Sequence, residues 1–445
     1  MRYSPSRHSA LLRWVLPVAL LAVAACSKDK DIDKPAELTE FQSTLNITRV
    51  WDGSVGGDDE PLRLGLGLSV DSGRVYAAGH GGEVAAFELG TGKSIWRTKT
   101  RVPLSGGTGA GGDLVVVGSS EGDVIALNTA DGAIRWRVKV HGEVLSAPAV
   151  SPRAVIVRSV DGRLRGLSHD TGRELWVVDQ PVPRLSLRGT SRPVIAGDAA
   201  IVGFDNGKVL AVGENDGAMI WEATVAPSRG RTELERLVDI DSAVKVAGDD
   251  VYAVGFQGRV AMLGRETGQI WWSHEASSYR GLGIDDESLY LSTASGEVVS
   301  MRRRTGAEVW RQNALLHRGL SAPVALENAI AVADFQGYVH WLDKATGELA
   351  ARTSAGGSRI SNPPVVADDM LLVINDEGRI SAFRAEPNTR RASLEKKAAE
   401  PVAPVPAVEP AAAPPVESSP VPAEEAATPL PAESPRTGDQ PPPGQ

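Results

Sequence analysis

The residues that could do acid–base or metal chemistry are sparse in this 445-residue chain and do not form spaced groups. None of the seven histidines lies at metal-ligand spacing from another. A single cysteine excludes a disulfide framework and any cysteine-based zinc site. Paired acidic residues fall in short polar stretches where turns are expected, namely Asp249-Asp250, Asp285-Asp286 and Asp368-Asp369. No Ser/His/Asp arrangement or glycine-rich phosphate loop occurs, so we predict no catalytic residue, no cofactor and no metal.

Cys26 is the only cysteine, and it lies at the end of an N-terminal apolar run. The run over residues 15–25 follows an arginine-containing segment and is shorter than the roughly 20 residues that span a bilayer. Its last residues, Val-Ala-Ala-Cys, resemble a bacterial lipobox, so we expect a signal peptide over 1–25, a lipidated Cys26 and a tether to residue 44. Ser27 follows, which by the same resemblance implies a periplasm-facing anchor in the outer membrane. A plain signal peptide with an incidental cysteine is the alternative.

The C-terminal segment changes composition sharply from residue 387 onwards. Residues 401–445 hold 14 of the 29 prolines, among alanine, glutamate and serine. Such a segment cannot bury enough apolar surface to offset its ordering entropy, so 387–445 is predicted to be disordered, with no assigned role. The net charge of −9 argues against nucleic-acid binding, which needs a basic surface.

The middle of the chain repeats one unit eight times. A glycine followed by alternating apolar residues recurs at spacings of 40, 40, 45, 51, 38, 41 and 41 residues. The repeat glycines are Gly82, Gly122, Gly162, Gly207, Gly258, Gly296, Gly337 and Gly378. Periods near 40 residues with period-two alternation are typical of a β-propeller with four strands per blade.

Tryptophan occupies a fixed place in the repeat. A Thr-Gly or Asp-Gly turn follows each of the first seven copies, and a tryptophan lies 14 residues after the repeat glycine in six of them. The six are Trp96, Trp136, Trp176, Trp221, Trp272 and Trp310. Ala351 fills this place in the seventh copy, which predicts one weaker contact between blades.

The eighth copy has no outer strand after it, because the chain enters the proline-rich segment directly. A strand-like segment ending at Trp51 stands before the first repeat with no glycine of its own. Pairing this segment with the last copy would close the ring and remove a free sheet edge. The sequence therefore predicts an all-β, eight-bladed propeller over residues 45–386, closed by its N-terminal strand.

The repeat, with its Thr-Gly-x-x-x-Trp core, resembles the PQQ-like, tryptophan-docking repeat of quinoprotein dehydrogenases. Two families share it: the pyrroloquinoline quinone (PQQ) dehydrogenases and the non-enzymatic outer-membrane assembly lipoproteins of the BamB family. The dehydrogenases need a quinone site, a Ca²⁺ held by oxygens and a base, and the alcohol dehydrogenases among them use adjacent cysteines. This chain has no cysteine pair, so the non-enzymatic family is favoured. A PQQ-dependent dehydrogenase or degenerate quinone-binding propeller, and a periplasmic scaffold for some other partner, are the alternatives.

Two insertions distinguish neighbouring copies. The spacing from the tryptophan position to the next repeat glycine is 24–27 residues in five copies, but 31 from Trp176 to Gly207 and 37 from Trp221 to Gly258. Both insertions join one blade's outer strand to the next blade's inner strand, so they are predicted to lie side by side on one face. Insertions clustered on one face of a repeat array often mark its binding surface.

The insertions carry the residues predicted to bind a partner. Leu185, Leu187 and Arg188 in the first combine apolar and cationic character, as interface hot spots do. Asp239 and Asp241 in the second alternate, so they share a side if extended. Both stretches resemble the BamB-family loops that dock on the POTRA domains of BamA, which implies membership of the β-barrel assembly (BAM) complex and a scaffold role in inserting outer-membrane proteins, with nascent chains as a further partner. Burial of the leucines, and turn or capping roles for the aspartates, are the alternatives.

Overall fold

The computed structural model describes residues 33–56, 66–187 and 189–388. The described residues form eight four-stranded antiparallel sheets arranged as the blades of a propeller, which confirms the fold predicted from the sequence. Cys26 and the segment from residue 389 onwards lie outside the described residues. No helix of the length and apolarity needed to cross a bilayer occurs among the residues described.

The strands follow one another in chain order within each blade. Strand β1 (Leu45–Ser54) precedes the first blade, which contains β2 (Ser69–Asp71), β3 (Arg74–Ala78), β4 (Glu83–Glu88) and β5 (Ser94–Lys99). Blade 2 contains β6 (Leu104–Gly111), β7 (Leu114–Ser119), β8 (Asp123–Asn128) and β9 (Ile134–Lys139). Blade 3 contains β10 (Ala149–Val150), β11 (Ala154–Arg158), β12 (Arg163–Ser168) and β13 (Glu174–Asp179). Blade 4 contains β14 (Val194–Ala196), β15 (Ala199–Gly203), β16 (Lys208–Gly213) and β17 (Met219–Thr224).

The second half of the ring repeats this order. Blade 5 contains β18 (Lys245–Ala247), β19 (Asp250–Val254), β20 (Gly258–Gly264) and β21 (Ile270–Ala276). Blade 6 contains β22 (Leu282–Ile284), β23 (Ser288–Ser292), β24 (Val298–Arg302) and β25 (Glu308–Gln312). Blade 7 contains β26 (Val324–Ala325), β27 (Ile330–Ala333), β28 (Tyr338–Leu342) and β29 (Leu349–Ser354). Blade 8 contains β30 (Val365–Ala367), β31 (Met370–Ile374) and β32 (Arg379–Pro387), with β1 as its outer strand.

The core lies in the middle two strands of each blade. Strands such as β15 and β16 are almost wholly buried because apolar residues on both sheet faces pack against neighbouring blades. First strands of neighbouring blades contact one another around the axis, as β2 contacts β6 and β22 contacts β26. Strands β14, β18 and β30 are nevertheless only half-buried along their whole length. A first strand that is enclosed yet half-exposed lines the axial channel of the ring.

The repeated tryptophans hold neighbouring blades together. The indole N–H of Trp96 donates to the Thr129 carbonyl oxygen of the next blade at 2.9 Å, and its ring lies against Gly132, where a Cβ would approach it to 2.5 Å. Gly132 also has a positive φ of 73°, so the turn requires glycine for two reasons. The same donation to the next blade, at 2.7–3.0 Å, is made by Trp51, Trp136, Trp176, Trp221, Trp272 and Trp310.

Blade 7 exchanges the large and small members of one cross-strand pair. In the other blades the tryptophan faces a smaller residue, as Trp96 faces Ala86. In blade 7 Ala351 faces Trp341, which is fully buried on the adjacent strand β28. The cross-strand pair therefore keeps a tryptophan, but blade 7 lacks the outer-strand tryptophan that contacts the next blade. Another segment packs at this junction instead.

The segment before β1 packs at this junction. Its Thr44 N–H donates to the Ala350 carbonyl oxygen at 2.8 Å, and the Arg352 guanidinium lies 5.1 Å from the centre of the Phe41 ring. Strand β1 then pairs antiparallel with β32, from Leu45 opposite Pro387 to Ser54 opposite Arg379. The N-terminal chain thus replaces the missing tryptophan contact and closes the ring.

Candidate docking site

Two neighbouring connections, from blade 3 to blade 4 and from blade 4 to blade 5, carry the insertions. The first insertion, residues 180–193, joins β13 to β14, and the second, residues 225–244, joins β17 to β18. Each leads from the outer strand of one blade to the innermost strand of the next, so both emerge on the same side of the ring.

The insertions are bonded to each other. The Leu187 N–H donates to Asp239 Oδ2 at 3.0 Å, and the Ser191 hydroxyl donates to the Ser242 carbonyl oxygen at 2.8 Å. Gly189 lies so close to Asp241 that a Cβ at this position would meet the carboxylate at 3.1 Å. The two loops therefore form one continuous surface rather than two independent projections.

A buried charged cluster lies beneath the junction. Carboxylate oxygens of Asp205, Asp239 and Asp241 lie within 4.8 Å of one another. Arg158 forms an ion pair with Asp205 and stacks over Phe204, 4.7 Å from the ring centre. Three grouped carboxylates are ligands that hard cations accept, but here the Arg158 guanidinium already provides a positive charge beside them.

The cluster shifts the protonation of its members. Burial and, to a lesser extent, the neighbouring carboxylates of Asp241 and Asp205 together raise the pKa of Asp239 to about 8. Burial and the Asp205 charge likewise raise the pKa of Asp241 to about 6, against the opposing charge of Arg158. At neutral pH the Asp239 carboxyl keeps its proton, which it can donate to the Asp241 carboxylate.

The tip of the second insertion is a compact turn. The Glu235 carboxylate accepts from the Arg231 and Thr232 backbone N–H groups at 2.7 and 3.1 Å, and the Glu235 N–H donates back to the Thr232 hydroxyl at 3.2 Å. This reciprocal arrangement is that of a capping box. It holds Leu234 outward, where 64% of the residue is exposed.

The predicted binding residues do not all reach the surface. Leu185 is 42% exposed, whereas Leu187 and Asp241 are half-buried and Asp239 is fully buried. Arg188 lies outside the described residues. The structure thus brings Leu187, Asp239 and Asp241 together, but Asp239 acts on the loop from below. This is close to the capping role that the sequence left open as an alternative.

Two members of the cluster were missed by the sequence reasoning. Arg158 had a visible signal, because a lone charged residue ends the apolar run Ala154–Arg158 and a buried cation requires a partner. Asp205 had none, since an aspartate in a polar hairpin turn is ordinary. Leu234 was in the stretch but was not singled out.

Comparison with known proteins shows that this chain is similar in sequence to one protein family. A family model described as outer membrane protein assembly factor BamB matches residues 80–312 and 294–440. The chain is 39% identical over 377 residues to the factor of that name from Pseudomonas aeruginosa, covering 85% of this chain and 98% of that protein. It is 36% identical over 375 residues to that from Bordetella pertussis, covering 83% and 96%, respectively.

Comparison with solved structures shows a similarity in fold to the same family. The crystal structure of BamB from Moraxella catarrhalis superposes with a TM-score of 0.70 at 27% identity, covering 76% of this chain and all of that one. The quinohemoprotein alcohol dehydrogenase from Comamonas testosteroni superposes with a TM-score of 0.58 at 12% identity, covering 76% of each chain. At such low identity this similarity supports a shared propeller fold and no further conclusion.

Proposed function

The chain belongs to the family of the outer membrane protein assembly factor BamB, and from this premise we propose that its two insertions bind the POTRA domains of BamA. As a member of this family it is a non-enzymatic factor of the BAM complex, acting in the assembly of outer-membrane proteins. The observation that carries the docking proposal is the hydrogen bond from Leu187 to Asp239, which makes one surface of the two insertions.

The outer layer of this surface would make the contacts. Leu185 in the first insertion and Leu234 in the second present exposed apolar side chains. Arg188, next to Leu187 in the chain, would add a cation able to donate several hydrogen bonds to a carboxylate of the partner. An apolar side chain beside an arginine is a common composition of interface hot spots.

The inner layer would hold the outer one in place. Asp239 is too deeply buried to touch a partner, so we assign it a positioning role through the Leu187 backbone. Asp241 supports Gly189 from below at a separation that leaves no room for a side chain. Loops fixed before binding lose less conformational freedom when the partner arrives, which favours affinity.

Membrane attachment forms the second part of the proposal. A lipidated Cys26 would anchor the propeller to the outer membrane through its N-terminal tether and keep the docking loops near BamA. Several acyl chains, at about 0.8 kcal/mol per buried CH₂ group, give a stable anchor. Metabolic labelling with a fatty-acid analogue would detect this anchor in the wild type, and a Cys26→Ala variant should lose the label.

Nascent chains are a second candidate partner, favoured by one observation. Blades 4 and 5 present exposed apolar side chains on their outer strands β17 and β21, including Met219, Ile220 and Trp271. An outer strand has unpaired backbone groups along one edge, to which an extended chain can add as a further strand. Site-specific crosslinking from Ile220 during outer-membrane protein synthesis would test this contact, and its absence would remove it.

Co-purification with BamA tests the docking proposal. Leu185→Ala should weaken capture about 5- to 30-fold, the effect of removing an apolar hot-spot side chain worth about 1–2 kcal/mol. The matched control is Leu175→Ala on β13, a leucine of nearly equal exposure (41%) outside the insertions. Equal capture of BamA by the Leu185 variant, the Leu175 variant and the wild type would contradict the proposal that Leu185 contacts BamA.

A further inference from the structure

The axial channel contains two positive charges at places where the other blades carry none. Lys245 is the first residue of β18 and pairs with Tyr252, six residues before the repeat glycine. The residues at the corresponding register in the other blades are uncharged. They are Ser69, Gly109, Ala149, Val194, Gly283, Val324 and Val365.

Arg192 stands two residues before the corresponding position of the neighbouring blade, and so on the same side of an extended chain. Its counterparts in the other seven copies are small residues, which leave the space beside the innermost strands open. They are Gly67, Gly107, Ala147, Ala243, Gly281, Ala322 and Pro363. Arg192 and Lys245 are therefore the two departures from an uncharged pattern, and they occur in adjacent blades 4 and 5.

The two segments are in direct contact. Ser191, which precedes Arg192, donates through its hydroxyl to the carbonyl oxygen of Ser242, three residues before Lys245. Both cationic residues are half-buried, as expected for groups that face the axial channel. The register and the serine contact place the two charges near each other at the channel end that carries the insertions.

Neither cation has a partner within the described part of the chain. No hydrogen bond or ion pair is made there by the Arg192 guanidinium or the Lys245 ammonium group, in contrast to other enclosed arginines. Arg158 is paired with Asp205, and Arg318 is paired with Asp334 at 2.7 Å. Enclosed charges are normally paired, so two neighbouring unpaired cations are an arrangement that calls for a ligand.

The protein surroundings disfavour both charges. Burial lowers the pKa of Arg192, and burial together with the positive charge of Arg192 lowers the pKa of Lys245. No carboxylate among the described residues opposes these effects. An anion placed between the two groups would oppose them.

We propose that Arg192 and Lys245 form a binding site for a small oxyanion of the phosphate or carboxylate class inside the propeller channel. The planar guanidinium can donate two parallel hydrogen bonds to such an oxyanion, and the ammonium group adds a compact charge with three donors. Because the whole chain carries a net charge of −9, general attraction would not concentrate anions here, and the site depends on these two residues. This inference does not depend on the docking proposal.

Isothermal titration calorimetry on the purified full chain at low ionic strength tests the proposal, with inorganic phosphate and citrate as separate probes. Saturable binding of at least one probe is expected. Arg192→Met and Lys245→Met should each weaken that binding at least about 10-fold, as expected for the loss of a charged hydrogen-bond donor. Binding of phosphate alone or citrate alone would assign the class of oxyanion.

Two exposed cations serve as matched controls. Lys93 and Arg173 each follow a Thr-Gly turn on the outer surface and form no ion pair with the described residues. Lys93→Met and Arg173→Met should bind the probes like the wild type. No binding to the wild type, or equal binding by all four variants, would overturn the proposal. A lower melting temperature of both channel variants in anion-free buffer would also overturn it, because the cations would then stabilise the fold without a ligand.

Discussion

Burial of Asp239 makes the stability of the propeller depend on pH in a defined direction. Its pKa is about 8 in the folded protein and about 4 in an unfolded chain. Between those values the folded protein holds a proton that the unfolded chain has released. The contribution of Asp239 to the free energy of unfolding is therefore fully present below about pH 4. It is lost as the pH rises towards about 8, at up to about 1.4 kcal/mol per pH unit.

The magnitude can be isolated at the upper end of this range. Above about pH 6 more than half of the neighbouring Asp241 is ionised, so Asp239 dominates the change contributed by the cluster. From about pH 6 to about pH 8 the free energy of unfolding should fall by about 2–3 kcal/mol through this group. In Asp239→Asn the amide oxygen can still accept from the Leu187 N–H, but no proton is exchanged, so this part of the fall should disappear.

Urea unfolding of the wild type and the variant at both pH values measures the difference. Asp286→Asn, at an exposed carboxyl group in a turn, is the matched control and should retain the fall seen in the wild type. The informative quantity is the change between the two pH values in one protein, compared between proteins, because other groups then cancel. If Asp239→Asn loses as much stability as the wild type over this range, the buried cluster does not hold the proton and the reasoning is wrong.

Three further predictions follow from the packing. Arg158→Leu should destabilise the fold by about 3–5 kcal/mol in urea unfolding, because it leaves Asp205 buried without its partner; an unchanged midpoint would contradict this. Trp136→Ala should cost about 3–5 kcal/mol in the same assay through the lost contact with the next blade; a loss below about 1 kcal/mol would show that this contact contributes little. Ala351→Trp should destabilise by about 1–3 kcal/mol rather than stabilise, because Trp341 already fills the opposing place; a higher melting temperature would refute this.

The fold could be predicted from the sequence because each repeat carries residues that mark particular turns and strands. Each glycine marks the turn before a third strand, and each tryptophan marks an outer strand, so counting them predicted eight blades. The closing strand was also predictable, because Trp51 matches the outer-strand tryptophan of the repeat but has no repeat glycine before it. The exchange of Trp341 and Ala351 was not predicted, because it becomes visible only when the residue opposite each tryptophan is known.

The candidate site was less accessible from the sequence. The spacing between repeats located the insertions, and the alternation of residues placed Asp239 and Asp241 on one side of the chain. Neither pattern shows how deeply a side chain is buried. Asp239 is buried because Arg158 and Asp205, from other parts of blades 3 and 4, meet beneath it. Burial that arises from contacts between distant segments leaves no periodic pattern in either segment.

The closure of the ring has a consequence for the order in which the propeller is completed during synthesis and for its response to a pulling force. Strand β1 is among the first parts of the propeller to be synthesised, yet its partner β32 is the last, so the eighth blade stays open until residue 387 is available. In the proposed anchored state, a pull on the N-terminal segment would first load that segment's own contacts with the neighbouring blades, such as the hydrogen bonds from Ala36 to Leu316 and from Thr44 to Ala350, before any tension reached β1. The segment that replaces the missing tryptophan contact would thus also shield the closing strand from tension.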